Sequence, residues 1–176
     1  MVLFMLYLKA ELDGVASIRQ VKDAPLCITV KNPLSDYEVR EKVVVDRSEF
    51  LEQAENAREP PHHFQLKWEG SKKQSTLAIV DEAAIKTALK KKKKVEAPRD
   101  YTADDSGEWV PIVAVECKGL EPTAFFAMGN DFVVTSTGGV EFVDDVDISE
   151  GDWGEYDDEH DAAVSLTDIE FKWESI

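Results

Sequence analysis

Short apolar or alternating runs, rich in Val, Ile, Phe and Thr, recur along the whole chain and are cut by clusters of Gly, Pro, Asn and Asp. Runs this brief suit strands that cross a sheet once, and the polar punctuation supplies the reversals between them. The pattern predicts strands at Val2 to Leu12, Leu26 to Lys31, Tyr37 to Val45, His63 to Trp68, Thr76 to Val80, Val110 to Lys118, Ala124 to Met128, Phe132 to Ser136, Val140 to Val143 and Val164 to Trp173. In the last of these Val164, Leu166, Phe171 and Trp173 fall mostly on alternate positions, as a half-buried strand requires. Asp168-Ile169 breaks the phase there and predicts a bulge.

Helix is scarce. Ser48 to Ala57 reads as a short helix with Ser48 as its cap and Glu49 and Glu52 near the favourable end of the dipole. Asp81 to Lys94 has the better propensity, from Ala83, Ala84, Ala88 and Leu89, but five successive lysines, Lys90 to Lys94, repel one another. The expectation is a frayed, exposed, lysine-rich insertion over 82–97, ended by Pro98. Neither an internal repeat nor a domain boundary is visible, so residues 1–176 are read as one domain, all-β, with little helix.

With 43% hydrophobic residues the chain has ordinary globular composition. Its formal charge of −16 repels phosphate, which argues against nucleic acid and anionic membrane as partners. A protein partner with a basic surface, or a cation, suits that charge better. Cys27 and Cys117 are the only cysteines, too few for a disulfide framework or a four-thiolate site. Their scarcity points to a reducing compartment, cytoplasmic or also nuclear. The apolar run Met1 to Leu8 lacks a basic start, is too short to span a bilayer, and leads into Lys9-Ala10-Glu11, so it reads as a strand.

The densest chemistry is the acidic region 141–161. An EF-hand loop begun at Asp145 would use Asp147 and Ser149 well, but it needs Gly at the sixth position and Glu at the twelfth, where Glu150 and Tyr156 stand. The reading preferred here is a solvated acidic loop anchored by Trp153 and Tyr156, with a weak divalent-cation site as the alternative. Paired carboxylates also serve hydrolases, at a fixed separation that sequence does not reveal. His62, His63 and His160 have no Cys or His partner at metal-finger spacing, and adjacent strand residues such as His62-His63 face opposite ways. Cys117, among Val113, Val115 and Leu120, reads as a buried, inert thiol, with Lys118 projecting to the other face.

The run Val115-Glu116-Cys117-Lys118-Gly119-Leu120-Glu121-Pro122 resembles a signature of the eukaryotic CXXC-motif-containing zinc-binding protein family, a largely uncharacterised group. Leu8-Lys9-Ala10-Glu11-Leu12 is similar to its opening strand, Tyr101-Thr102-Ala103-Asp104-Asp105 to the segment before the signature, and Asp152-Trp153-Gly154-Glu155-Tyr156-Asp157 to its late acidic-aromatic loop. The resemblance covers nearly the whole chain in order, apart from the lysine-rich insertion. It implies several sheets with sandwich-like and prism-like packing, and no established catalytic residues. It also implies two Cys-x-x-Cys pairs, each after a lysine at a hairpin end, holding one zinc. The matching stretches here are Lys31-Asn32-Pro33-Leu34-Ser35 and Lys67-Trp68-Glu69-Gly70-Ser71, so Asn32, Ser35, Trp68 and Ser71 occupy the ligand positions. The family's Gly-Ser-Arg-Gly stretch is matched by Asn56-Ala57-Arg58-Glu59. Turns and the packing of Trp68 are expected to hold the two tips in place of the metal, with no cofactor bound.

The expected function is protein contact without catalysis, by a monomer, through a surface containing Asp152, Trp153, Tyr156, Asp157, Asp158 and Glu159. Two other readings stay open at this point: a metal-binding protein, through the family's zinc or the acidic loop, and a carboxylate-dependent hydrolase.

Overall fold

The computed structural model describes residues 1–176 apart from Ala57, Glu59 and Lys93, and a twelve-residue strand organises it. That strand, β1 (Val2–Asp13), alternates its side chains between two faces. Phe4, Leu6, Leu8 and Ala10 enter the main core. Met5 is buried on the other face, in a separate small cluster with Ile85 and Ala114. Burial on both faces is why the opening run is almost continuously apolar rather than alternating.

Twelve further strands follow among the described residues: β2 (Val15–Gln20), β3 (Leu26–Lys31), β4 (Val39–Val45), β5 (Phe64–Leu66), β6 (Ser75–Ile79), β7 (Tyr101–Thr102), β8 (Val110–Lys118), β9 (Glu121–Phe126), β10 (Phe132–Ser136), β11 (Glu141–Phe142), β12 (Trp153–Asp157) and β13 (Ala162–Ser175). They form a six-stranded sheet in the order β12-β13-β1-β8-β6-β5, a four-stranded sheet β11-β10-β2-β7 and a three-stranded sheet β4-β3-β9. All three contribute to one main core, through residues such as Leu6, Val113 and Val164, Ile18 and Val134, and Ile28 and Val30. The all-β class and the multi-sheet packing are therefore as expected, in a single domain.

The step from the first sheet to the second is made at Gly14, whose φ of +69° is open to glycine and strained for other residues. A Cβ there would lie 2.4 Å from the carbonyl oxygen of Ala163. At the far side of β1, Lys9 pairs with Glu170 and Glu11 with Thr167, leaving Asp168 and Ile169 opposite Ala10 alone. This is the expected bulge, with Asp168 at φ +51°.

Three strands escape the sequence pattern. In β2 the apolar Val15 and Ile18 are out of phase with each other, and in β7 only two residues pair. β12 buries only Asp157 fully, so it has no hydrophobic signature. β9 begins at Glu121, not Ala124, and carries Pro122, which an edge strand tolerates because its outward amide has no partner to lose.

Two expectations about helix are corrected. No helix forms over Ser48 to Asn56, while Ala57 lies outside the described residues. Ser48 instead donates its amide (2.9 Å) and hydroxyl (2.6 Å) to the Asp46 carboxylate, and Leu51 N–H reaches the His62 carbonyl at 2.9 Å. The insertion over 82–97 is not simply exposed. α1 (Glu82–Leu89) is capped by Asp81, whose Oδ1 accepts from Ala84 N–H at 2.7 Å, and it docks through Ile85, which is 3% exposed. Val95 and Ala97 are partly buried against the same cluster. Lys90, Lys91, Lys92 and Lys94 follow the helix, and Lys93 lies outside the described residues.

Candidate functional site

The first tip assigned by the resemblance lies beyond β3 and is closed by its own side chains. Asn32 N–H donates to the Glu38 carbonyl (2.9 Å), and Ser35 N–H to the Asn32 carbonyl (3.2 Å). The Asn32 side-chain oxygen accepts from Leu34 N–H at 3.0 Å, an Asx turn, and Ser35 Oγ accepts from Tyr37 N–H at 3.3 Å. Leu34 and Tyr37 project into solvent.

The second tip is closed differently. Trp68 is 5% exposed and belongs to the main core. Its indole N–H donates to the Gly119 carbonyl at 2.8 Å, and Ser75 Oγ donates to the same oxygen at 2.9 Å. Gly119 holds φ +75°, and a Cβ there would lie 2.4 Å from Ser75 Oγ. Within the signature, Gly119 and Leu120 join β8 to β9, and the second tip rests on the Gly119 carbonyl. Ser71 N–H donates to the Trp68 carbonyl (3.0 Å), and Ser71 Oγ donates to the Lys73 carbonyl (3.1 Å).

These groups do not fit the family's zinc. An indole N–H is a donor without a ligating lone pair, and amide and hydroxyl oxygens are poor substitutes for thiolates on a borderline-soft ion. The two thiols lie in core strands, Cys27 on β3 and Cys117 on β8, and both are buried. Burial raises both thiol pKa values, far more for Cys117, which leaves them protonated and poor ligands. Among the described residues no group of three or more His, Cys, Asp or Glu is arranged to hold a metal ion.

The acidic region 141–161 is not one solvated loop. β11 and β12 lie within it, and Val146 and Ile148 are buried in the core, with Trp153 packed against Phe142 at a centroid distance of 5.5 Å. Tyr156, expected as an anchor, is 46% exposed, and its hydroxyl bonds the Asp161 carboxylate. Asp147 turns on itself, its Oδ1 accepting from Ser149 N–H at 2.9 Å.

Asp157 is also corrected: expected on the contact surface, it is 2% exposed. Its Oδ2 lies 2.8 Å from His160 Nδ1 and 3.3 Å from Ser136 Oγ, while Oδ1 accepts from the amides of Glu159 (3.0 Å) and His160 (3.2 Å). Burial alone would raise this carboxyl, but the bonds from His160 and Ser136 outweigh it and hold the pKa below the ordinary value. The groups left outward around this knot are Asp152, Gly154, Glu155, Tyr156, Asp158 and Glu159. β12 is the outer strand of its sheet, so its far edge has no strand partner among the described residues.

The histidines do not converge. His62 Nε2 faces Gln65 Oε1 at 2.9 Å. His63 Nδ1 accepts from Ile79 N–H at 2.9 Å, and the ring stacks on Phe50 at 4.4 Å. Burial, with help from Arg47, lowers the His63 pKa.

The Tyr101 to Asp105 stretch is structural in the same way as the signature. The Tyr101 hydroxyl, fully buried, accepts from Ala10 N–H (3.3 Å) and donates to the Asp105 carbonyl (2.5 Å). Asp105 receives a two-pronged contact from Arg99, at 2.7 and 2.8 Å, which holds its pKa well below the usual carboxylate range. Two polar residues that no sequence motif marks, Gln20 and Arg47, also meet, in the lining of a cavity beside β2. Their separation of 27 positions leaves no local signal of that contact.

Comparison with known proteins agrees with this architecture. A solved structure described as a hypothetical protein from Plasmodium falciparum superposes with a TM-score of 0.81 over 99% of this chain and 100% of that one, at 24% identity, a likeness of fold. The UPF0587 protein CG4646 of Drosophila melanogaster is 40% identical over 80 residues, 46% of this chain and 47% of its own length. The bovine (Bos taurus) CXXC motif containing zinc binding protein is 30% identical over 71 residues, 40% of this chain and 44% of its own length, so each match spans under half of the relative. Residues 5–174 match the profile of the family described as "CXXC motif containing zinc binding protein, eukaryotic", and the chain belongs to that family.

Proposed function

We propose that the chain is a non-catalytic, monomeric protein-contact module of this family, one that has exchanged a metal-held pair of hairpin tips for turns and side-chain packing. The observation that carries the contact reading is β12. It is a sheet-edge strand that presents Gly154, Glu155 and Tyr156 outward, and it is stiffened from beneath by the buried Asp157. An unpaired edge offers backbone groups to an incoming segment, and surrounding carboxylates favour a basic one. With a chain charge of −16, long-range steering adds to that preference. Two free, buried thiols suit a reducing compartment, which we take to be the cytoplasm, with access to the nucleus. Among the described residues no helix is long and apolar enough to cross a membrane.

Affinity capture tests the reading. The wild-type chain is compared with a variant carrying Glu155→Gln, Asp158→Asn and Glu159→Gln, which leaves Asp157 intact. Partners should be lost from the variant, and lost from the wild type as salt is raised. Retention of every partner by the variant removes the acidic edge as the contact surface. The metal reading is tested separately, by elemental analysis and by thermal melts with and without chelator. Stoichiometric zinc, or a melt lowered by the chelator, would overturn the proposed exchange.

A further inference from the structure

Among the described residues Arg47 makes no direct ion pair, although the chain has 36 acidic residues against 20 Lys and Arg. It is partly buried. Its Nε donates to the Ala24 carbonyl at 2.8 Å and its Nη2 to Gln20 Oε1. Asp23 and Asp131 influence it only at longer range, and burial still lowers its pKa. A guanidinium nevertheless stays charged, and taking it partly out of water without a paired anion is costly. Its bond to Gln20 also fixes that amide with the oxygen inward. Gln20 Nε2 is consequently left as the one buried side-chain polar atom without a partner among the described residues.

Both residues line a cavity of about 300 Å³ between β2, the Val21–Ala24 turn and the Pro98–Asp100 segment. Its lining carries Arg19, Lys22, Arg47 and Arg99 beside Asp23 and Asp100; Arg99 is already engaged by Asp105 and Glu96, and Arg19 by Glu141. The floor is apolar, from Leu8, Ile18, Ile112 and Phe132. A second cavity, of about 250 Å³, shares Arg47, Pro98 and Ile112 with the first. It runs under α1 between Ile79, Ile85 and Ala114, with Glu82 and Lys86 also in its lining. Together the two chambers fall within the roughly 300–1,000 Å³ typical of small-molecule sites.

We propose that these chambers form one binding site for a small amphipathic carboxylate, with its head on Arg47 and its alkyl body beneath α1. A guanidinium matches a carboxylate in shape and charge, and a swing of Gln20 brings its spare N–H to the same oxygens. Asp23 and Asp100 disfavour a dianion more than a monoanion, which selects a carboxylate over a phosphate. The apolar continuation rewards a chain that leaves water.

The test is a titration of the full chain with octanoate, followed by amide chemical shifts, beside parallel titrations with octanol, acetate and inorganic phosphate. Octanoate should give saturable shifts confined to residues 18–24, 79–86 and 112–114, and Arg47→Gln should weaken it at least tenfold. Octanol should bind more weakly than octanoate at the same amides. The proposal is overturned by an absence of saturable shifts, by shifts scattered over the surface, by equal binding to Arg47→Gln, or by phosphate matching octanoate. Should Arg47→Gln fail to fold, Ala97→Leu decides instead, because it narrows the second chamber without touching the Arg47 hydrogen bonds. Octanoate should then weaken several-fold while acetate is unchanged, and unchanged octanoate affinity overturns the proposal.

Discussion

The carboxylate of Asp157 and the imidazole of His160 meet at 2.8 Å across the β12–β13 turn, the acid 2% exposed and the ring 47%. Three further donors, Ser136 Oγ and the amides of Glu159 and His160, surround the same carboxylate. An amide side chain at 157 retains acceptor capacity on one atom only, so Asp157→Asn should lower the urea midpoint with little change in slope. The effect carries a pH signature. Because the folded-state pKa of Asp157 lies below its unfolded value, its contribution is present above about pH 4 and fades as pH falls through the folded pKa. Wild type and Asp157→Asn should therefore converge in acid, and a constant difference from pH 7 to pH 3 would argue against this account.

Trp68 and Gly119 share one hydrogen bond and a packing surface, and two substitutions separate these contributions. Trp68→Phe removes the 2.8 Å bond while the Gly119 carbonyl keeps Ser75 as a donor, so the cost should be about 1 kcal/mol. Trp68→Ala also opens a cavity in the core and should cost about 3–5 kcal/mol. Equilibrium unfolding of both variants checks the order. Similar losses for the two would mean that the indole N–H, and not packing, secures the tip.

Gly14 should tolerate no side chain. Alanine there meets both a positive φ and a backbone carbonyl 2.4 Å from its Cβ, and a main-chain atom cannot step aside as a flexible side chain can. Gly14→Ala is expected to destabilise by more than about 1 kcal/mol from the backbone conformation alone. A thermal melt measures it, and an unchanged melting temperature refutes the described corner between the first two sheets.

His63 supplies a second pH dependence. Its folded-state pKa is lowered, so near and below pH 6.5 the unfolded chain takes up more protons than the folded one, and stability falls as the solution is acidified. A proton-detected titration should place the His63 midpoint below 6.5. Since Nδ1 accepts from Ile79 N–H, the neutral ring should carry its proton on Nε2. A midpoint above 6.5 would contradict the buried environment.

Much of the fold is legible in the sequence because strands that face a core must alternate or run apolar. β3, β8 and β10 end where the pattern ends, and even the bulge at Asp168 is visible as a break in phase. β12 is not legible, because pairing along one side needs no continuous hydrophobic face, and of its five residues only Asp157 is fully buried, with Trp153 partly so. The helix α1 is half legible: propensity marks it, but its docking depends on Ile85 meeting Met5 and Ala114, which are far away in sequence. The candidate sites divide in the same way. The ligand-position residues Asn32, Ser35, Trp68 and Ser71 are marked by resemblance, and their chemistry follows from residue type. Asp157 misleads, since an acid within an acidic run gives no sign that it is buried. Arg47 and Gln20 leave no trace at all, because what singles them out is a missing partner, a property of three dimensions.

β1 divides the interior into two compartments of very unequal size. Met5, Ile85 and Ala114 form the smaller one, closed on its outer side by a helix of eight residues. This helix adds no rung to the six-stranded ladder, so side-chain packing through Ile85 is what holds it over the small compartment. One strand thus backs two unequal interiors, the larger enclosed by three sheets and the smaller covered in part by a single short helix.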